Sequence, residues 1–508
     1  MRAVGLAGGL AVVTASLAAA QQPGAPLPAQ ASGGQSAGRP CKLQVDSIPR
    51  YVQQGTTYYG GGGVAMHCQE QPTTMTADSL AWYATISELH LFGNVHFRDS
   101  LSTLDADGAT YWVKDEHLYA TGHVFTRNLR TGSSLSGPNL DYYRAAQNIR
   151  DTLELRATGR PVIHFYSTHD SVPSDTAKPF VVVADRVHMR GNDRMWGGGR
   201  VTIDREALDA RADSASLDLG VKHGILIGHP SVADTGQGAY RLVGRRIDFD
   251  LTDANDLRRV LSQDSADAFG PDWHLSGDTL DLAIDSGKVQ RAQVWGRTRR
   301  ATAVSARSTI TADSLDISMP HQLVKVVWGY GRARAVSRPD STAPDSEPDW
   351  MVGDTLRANF AQRPAVPDTG AAADTGAADT AVAAADTTHL RTEIEHVTAF
   401  SAARAYYHVD NDRERGGPRA ISYARGRRID IALRHSKVRT VNVVGQVDGI
   451  YLEPLSAAER DSARADTLRA DSLRRANGQA PLLPDTLRVR PDSGTARPDT
   501  TTARPGHP

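Results

Sequence analysis

Apolar and polar residues alternate through most of the chain. Leu89 and Leu91, Val95 and Phe97, Val201 and Ile203, Leu315 and Ile317, Val324 and Val326, and Val441 and Val443 each stand two apart. A period of two gives each strand one buried and one wet face, so these stretches predict β-strands. Residues 41–336 show no sustained 3.6-residue apolar period and predict no amphipathic helix. Alternating stretches flank glycines, as in ELHLFGNVHFRD (88–99), EHLYATGHVFTRN (116–128), DRMWGGGRVTIDR (193–205) and KVRTVNVVGQVDGIYLEP (437–454). Gly-Asn, Gly-His, Gly-Arg and Gly-Gln at these points read as tight hairpin turns, where glycine supplies the positive φ.

A second motif recurs between them: a small residue, an aspartate, a polar residue and a hydrophobic one. Its aspartates are Asp78, Asp107, Asp185, Asp213, Asp278, Asp313 and Asp354, with a looser copy at 424–433. Asp78 and Asp107 are 29 residues apart, as are Gly93 and Gly122. One such unit cannot bury its own apolar face, so neighbours must stack on it. The expectation is an all-β, elongated, repeat-built structure in which strands alternate between two sheets.

Low-complexity stretches divide the chain. Residues 21–40 are a Pro/Gly/Gln/Ser linker, and 337–349 and 361–389 nearly lack large apolar residues. Such segments bury too little surface to offset the entropy of ordering. The predicted organisation is a leader at 1–20, a linker at 21–40 and β repeats at 41–336. A low-complexity insertion at 337–390 with one isolated strand (350–360), β repeats at 391–454 and a disordered tail at 455–508 complete it. The tail holds one short helix candidate, DTLRADSLRRANG.

Arg2 is followed by a small, apolar stretch ending in Ala-x-Ala before Gln21, the pattern of a cleaved secretory signal peptide. That places the chain in an oxidising compartment, where Cys41 and Cys68 can pair. Closing that loop stabilises the fold by about 3 kcal/mol in the chain-entropy picture. The alternative is two buried free thiols. With two cysteines, a disulfide-rich scaffold and a four-cysteine metal site are excluded. The balance of 57 basic and 58 acidic residues argues against a nucleic-acid partner.

MTADSLAWY (75–83), LHLFGNVHFRDSLSTLDADGATYW (89–112) and EHLYATGHVFTR (116–127) resemble the OstA-like N-terminal repeat of periplasmic lipopolysaccharide-transport proteins. GNV at 93–95 and ADG at 106–108 stand where that family has its turn and following strand, and VVGQVDGIYLEP (443–454) looks like a further unit. The resemblance covers most of 55–336 and 391–454, without the large C-terminal barrel of the outer-membrane partner. It implies a two-sheet open jelly-roll, or β-taco, whose apolar interior carries the acyl chains of lipopolysaccharide or a related glycolipid. The interior positions expected to hold lipid are Leu89, Leu91, Val95, Phe97, Leu118, Val124, Val201, Ile203, Val294, Val324, Val326, Val441 and Val443. The resemblance also implies a periplasmic location, peripheral to the outer membrane, and partners in the transport bridge or outer membrane. Those partners would dock by edge-strand pairing, with strand 438–452 offered at the C-terminal end; the alternative is that the tail or the segment 400–410 folds back and covers that edge.

No catalytic or cofactor motif emerges. There is no Gly-rich phosphate loop with Lys, no HExxH and no GxSxG. Asp410-Asn411-Asp412 begins like a calcium loop, but Arg415 stands where that loop requires Gly. The repeated aspartates fit a structural turn position, and His90, His96, His117 and His123 read as exposed strand residues. The seven tryptophans read mostly as caps at the ends of the apolar interior. The expectation is therefore a non-enzymatic carrier needing no metal or cofactor. A repeat-built adhesion protein or a β-solenoid carbohydrate enzyme is the alternative.

Overall fold

The computed structural model describes residues 38–166, 178–191, 193–206, 208–234, 236, 239–337, 347–364, 390–409, 419–434, 437–455 and 457–479. The described part of the chain is nearly all β, with 69% of the described residues in strands and one α-helix among them. It divides into two compact units, one reaching to Gly228 with Asp250–Asn255, the other made of His229–Phe249 and the chain from Asp256 onward. The leader, the linker to position 37 and residues 365–389 lie outside the described residues, as does 410–418 with its calcium-like sequence.

The first unit opens with β1 (Leu43–Ser47), β2 (Arg50–Gln54), β3 (Thr57–Cys68), β4 (Thr74–Tyr83) and β5 (Glu88–Arg98). It continues with β6 (Ser102–Trp112), β7 (His117–Asn128), β8 (Ser134–Tyr143), β9 (Glu154–Thr158) and β10 (Val162–Phe165). Then come β11 (Phe180–Val183), β12 (Arg186–Arg190), β13 (Arg194–Arg205), β14 (Leu208–Asp218) and β15 (His223–Ile227). Consecutive long strands pair antiparallel, β3 with β4 and onward to β8.

The glycine pairs do not turn hairpins. β5 runs unbroken through Gly93-Asn94, and β7 through Gly122-His123. Both residues of each pair have positive φ: 71° and 46° in β5, 73° and 43° in β7. Between Phe92 and Val95 the register slips against both neighbours, with Gly93 and Asn94 together facing Asp107 of β6. One extra residue in mid-strand is a β-bulge, which bends the strand. Hairpins and these bulges make the same demand on φ, so the residue pair alone does not separate them. The real reversals lie elsewhere, as at Ala84–Ser87 and Val113–Glu116.

The repeated aspartates explain why the bulges recur. A Cβ on Gly93 would stand 2.3 Å from an Asp78 carboxylate oxygen, and one on Gly122 would stand 2.3 Å from Asp107. The same close approach joins Gly199 to Asp185, Gly228 to Asp213 and Gly331 to Asp313. The residue after the glycine then bonds the same carboxylate. Asn94 donates to Asp78 at 2.9 Å, His123 lies 2.7 Å from Asp107, and Arg200 donates to Asp185 at 2.7 Å. These bonds hold Asp185 below the ordinary carboxylate range, chiefly through Arg200. Arg332 does the same for Asp313.

The bulges line up into a crease that divides the sheet of the first unit into two flanks. Flank one contains Glu88–Phe92 of β5 with the paired halves of β4 and β6–β8; flank two contains Val95–Arg98 and its partners. Where the crease crosses shorter strands they split, so β9 and β10 continue β8's two halves separately. β11 and β12 then rejoin on the single long strand β13. Along β5, Leu89, Leu91, Val95 and Phe97 are buried, so both flanks turn their apolar rows the same way. They meet: the ring of Phe97 on flank two packs edge-on against Tyr142 of flank one, centroids 5.4 Å apart.

The second unit repeats this plan. Its strands are β16 (Ser231–Asp234), β17 (Tyr240–Val243), β18 (Arg246–Leu251) as far as Phe249, β19 (Leu257–Phe269) and β20 (Trp273–Asp285). β21 (Lys288–Trp295), β22 (Ala301–Ser305), β23 (Ser308–Ala312), β24 (Ser314–Ser318) and β25 (Val326–Ser337) follow. Last are β26 (Trp350–Pro364), β27 (Leu390–Val409), β28 (Ala420–Arg434), β29 (Lys437–Val444) and β30 (Asp448–Leu452). The stretch 350–360, expected to stand alone, lies within β26 and is hydrogen-bonded to β25 on one side and β27 on the other. At two of the bulges here the positive-φ pair lacks glycine: Asp264-Ser265 and Ser401-Ala402. Within the stretch expected to be a disordered tail lies α1 (Ala457–Ala476), twenty residues long.

Candidate functional site

The strand period places most of the expected interior residues inside. Leu89, Leu91, Val95, Phe97, Leu118, Val124 and Val201 are buried in one apolar cluster in the first unit, with Ile203 half-buried against it. In the second unit Val294 is buried. Val324 lies outside any strand and is half-buried, and Val326 is also half-buried, because Val327 takes the inward position opposite Ala358 and Ile317. Val441 and Val443 are half-buried on the last strands, opposite Ile431 and Ile429 of β28.

The tryptophans divide differently from expectation. Trp273 is buried and Trp82 packs on the core, but Trp196 and Trp295 point outward, as their roughly 40% exposure requires. Trp112 stacks on His117 at 4.6 Å, and His117 on Tyr143 at 4.1 Å, beside buried Tyr111 and Tyr142 that face the other way. Adjacent residues of a strand point to opposite faces, so these rings lie on the outer surface. Arg150 covers the Tyr143 ring at 4.7 Å, leaving little free ring face in that stack. His96 pairs with Asp105 at 2.6 Å and His117 with Asp141 at 2.8 Å. Among the described residues no group of three His, Cys, Asp or Glu side chains is placed to hold a metal.

The margins of the two flanks farthest from the crease form a mouth. In the first unit a cavity of about 40 Å³ lies there. Ser102, Thr126, Ser133 and Ser134 of flank two face Leu153, Leu155 and Met189 across it. A second cavity of about 40 Å³ in the second unit lies among Trp273, Leu275, Ile310, Ile317, Val324, Val327 and Phe360, with Ser305, Ser308 and Thr392 at its lip. Both fall below the roughly 300–1,000 Å³ of a small-molecule pocket. In the first unit the buried rows of both flanks pack into one apolar cluster, and the crevice there is a gap in that packing.

Toward the N-terminus the mouth carries buried polar groups. Cys41 and Cys68 form a disulfide, with Cα atoms 5.0 Å apart. Glu116, fully buried, accepts the Cys41 N–H on one oxygen and the Tyr111 hydroxyl at 2.7 Å on the other. Arg144 lies 3.6 Å from Glu116 and donates to Thr73 at 3.1 Å and to Gln71. Tyr142 donates to Asp99 at 2.8 Å, and Asp99 also accepts the N–H groups of Leu101 and Ser102. Burial first, and then the Glu116 charge, push the Tyr111 hydroxyl well above its ordinary value. Burial and Asp99 do the same to Tyr142. Both remain donors at neutral pH. The Cys41–Glu116 and Tyr142–Asp99 bonds carry no local sequence signal, since they join residues 75 and 43 apart.

The terminal strands expose apolar side chains. Among the described pairings β1 and β2 pair only with β3, and β29 and β30 only with β28. Tyr51 and Val52 are exposed at the first end, and Val447, Ile450, Tyr451 and Leu452 at the last. Segment 400–409 does not cover that last edge, because β27 holds it between β26 and β28. No helix among the described residues is long and apolar enough to cross a membrane. No protein-family model matches this chain, and no curated protein matches it.

Proposed function

We propose that this protein is a non-enzymatic lipid-carrying scaffold of the OstA-like kind, exported to the periplasm. Its two flanks would act as the sheets of an open β-taco, taking the acyl chains of lipopolysaccharide or a related glycolipid. The observation that carries the reading is the creased sheet: both flanks turn continuous apolar rows toward each other, and crevices lie along the margin between them. Each methylene transferred from water into such an interior contributes about 0.8 kcal/mol, so a single chain would bind without any polar chemistry. Because the interior is packed, the flanks must part at the mouth as lipid enters. The exposed terminal strands suit partners that extend the sheet, since an unpaired edge offers main-chain donors and acceptors. All named strand pairs described here are antiparallel, whereas the coils of a parallel β-helix stack in parallel, which disfavours the solenoid-enzyme alternative. The test is to purify the full chain from a Gram-negative envelope, extract it with organic solvent and identify bound lipid by mass spectrometry. Acyl-bearing glycolipid in stoichiometric amount is expected. A lipid-free protein that also fails to take up glycolipid from micelles would overturn the proposal.

A further inference from the structure

Past Leu43, which pairs with Cys68 at the outer end of flank two, the chain continues back across the mouth. Gly38 bridges to Ala146, and its carbonyl accepts the Gln147 N–H at 2.8 Å, beyond the end of β8 on flank one. Segment 38–42 is therefore a strap from one margin to the other. The disulfide holds it to flank two, and the Glu116 acceptor holds it to flank one. Arg144 crosses the same gap in the opposite sense, from the end of β8 to Thr73 and Gln71. Tyr142 and Asp99 make a third crossing. These contacts lie over β3–β8, while the crevice at Leu153 and Met189 lies beside them. We propose that strap and buried ion pair form a latch that shuts the mouth over β3–β8, so that an apolar chain reaches the first unit's interior through the Leu153–Met189 crevice. Releasing the latch extends the accessible interior toward β3 and β4. The nature of the chain rests on the lipid-carrier reading; the closure itself does not.

The molecule carries its own reporters. Met66 and Met75 are buried beneath the latch, and Met189 lines the crevice. A thioether oxidises to a sulfoxide only where peroxide reaches it. Full-length protein with its disulfide intact should be exposed to hydrogen peroxide and followed by peptide mass spectrometry. Met189 is expected to oxidise first, with Met66 and Met75 protected. Removing the disulfide by Cys41→Ser with Cys68→Ser, or Glu116→Gln, should raise the Met66 and Met75 rates about tenfold or more, as loss of about 1.4 kcal/mol of closure requires. Circular dichroism establishes that each form stays folded, and the two perturbations are independent should one variant fail to fold. Unchanged Met66 and Met75 rates in the folded, disulfide-free variant overturn the latch. A diazirine-bearing fatty acid, photolysed in the same samples, reads the cargo. Label confined to the crevice-lining stretches, Ser102, 126–135 and 153–191, when latched, and spreading to 64–97 when released, supports the proposal. Equal labelling of both regions in the latched protein overturns it. Absence of label in every form refutes the lipid reading alone, and the methionine rates still decide the closure.

Discussion

Replacing Gly122 by alanine tests the crease directly. Gly122 has φ 73°, and a Cβ there would stand 2.3 Å from an Asp107 oxygen and 2.7 Å from its Cβ. Gly55, in the turn between β2 and β3, has φ 61° with nothing within 4 Å of its Cβ position. Both substitutions force an L-residue into the left-handed region, at about 1–2 kcal/mol each. Only Gly122→Ala must also displace a carboxylate held 2.7 Å from His123. Moving Asp107 off its rotamer adds about 0.5–1.5 kcal/mol, and the backbone shift needed beside its Cβ adds a similar amount. The expected losses are about 2–5 kcal/mol for Gly122→Ala and about 1–2 for Gly55→Ala. Urea unfolding followed by tryptophan fluorescence measures both, since each site lies in the first unit. Asp107→Ala in the Gly122→Ala background should recover the carboxylate's share, about 0.5–1.5 kcal/mol, because the oxygen contact goes while the Cβ contact and the φ strain stay. Equal losses for the two glycine variants, or no recovery in the double variant, would refute the account of the aspartate-clasped bulge.

Tyr142→Phe should cost about 1–3 kcal/mol, read as a lower melting temperature, because it leaves Asp99 without its hydroxyl donor in a buried site. Asp185 and Asp313 are held below their ordinary values, so their share of stability is complete above the unfolded carboxylate pKa of about 3.9 and is lost as pH falls through the lowered native values. Melting curves should therefore steepen their decline below about pH 4, and the acid sensitivity should shrink in Asp185→Asn with Asp313→Asn. Shortening the connection 365–389 between β26 and β27 to a tight turn should leave the melting temperature within a few degrees, since closure entropy grows only logarithmically with loop length. Val447→Asp with Tyr451→Asp should weaken binding to an outer-membrane partner or to a second copy without changing the melting temperature, as light scattering or pull-down would show; unchanged association would remove β30 as a docking edge.

The strands were legible because alternation needs nothing but local order, and the buried rows at Leu89, Leu91, Val95 and Phe97 follow from it. What alternation leaves open is which parity faces inward where apolar residues adjoin. Val326 and Val327 are neighbours, and only pairing with Ala358 and Ile317 decides for Val327. Tyr111 and Trp112 pose the same choice, and the buried hydrogen bond from Tyr111 to Glu116 settles it while Trp112 goes outward. The glycine pairs announced positive φ but not whether the chain reverses. That depends on an aspartate from the preceding strand, a contact no window around Gly93 contains. Asp264-Ser265 and Ser401-Ala402 bend the chain without glycine at all, and nothing in those pairs marks a bulge.

The polar groups at the mouth sit where the repeat lapses. In β4 and β6 an aspartate faces the neighbouring bulge, but β8 has Pro138 at the crease, packed where a Cβ on Gly159 would stand. After Tyr143 the chain leaves the ladder, makes the turn at Ala146–Arg150, and returns as β9. That excursion supplies Arg144 and the Ala146–Gln147 anchor for the strap. Asp99 and Glu116 come from the reversals between β5 and β6 and between β6 and β7, outside the alternating strands. A repeating strand can set an apolar row only by repeating it, so it cannot place a single buried charge at one point of the margin. Irregular segments can, because their backbone N–H groups and side chains are not committed to the ladder. An interior built by repetition is thus uniform along its length, and only the insertions at its margin can make one stretch of it closed and the next one open.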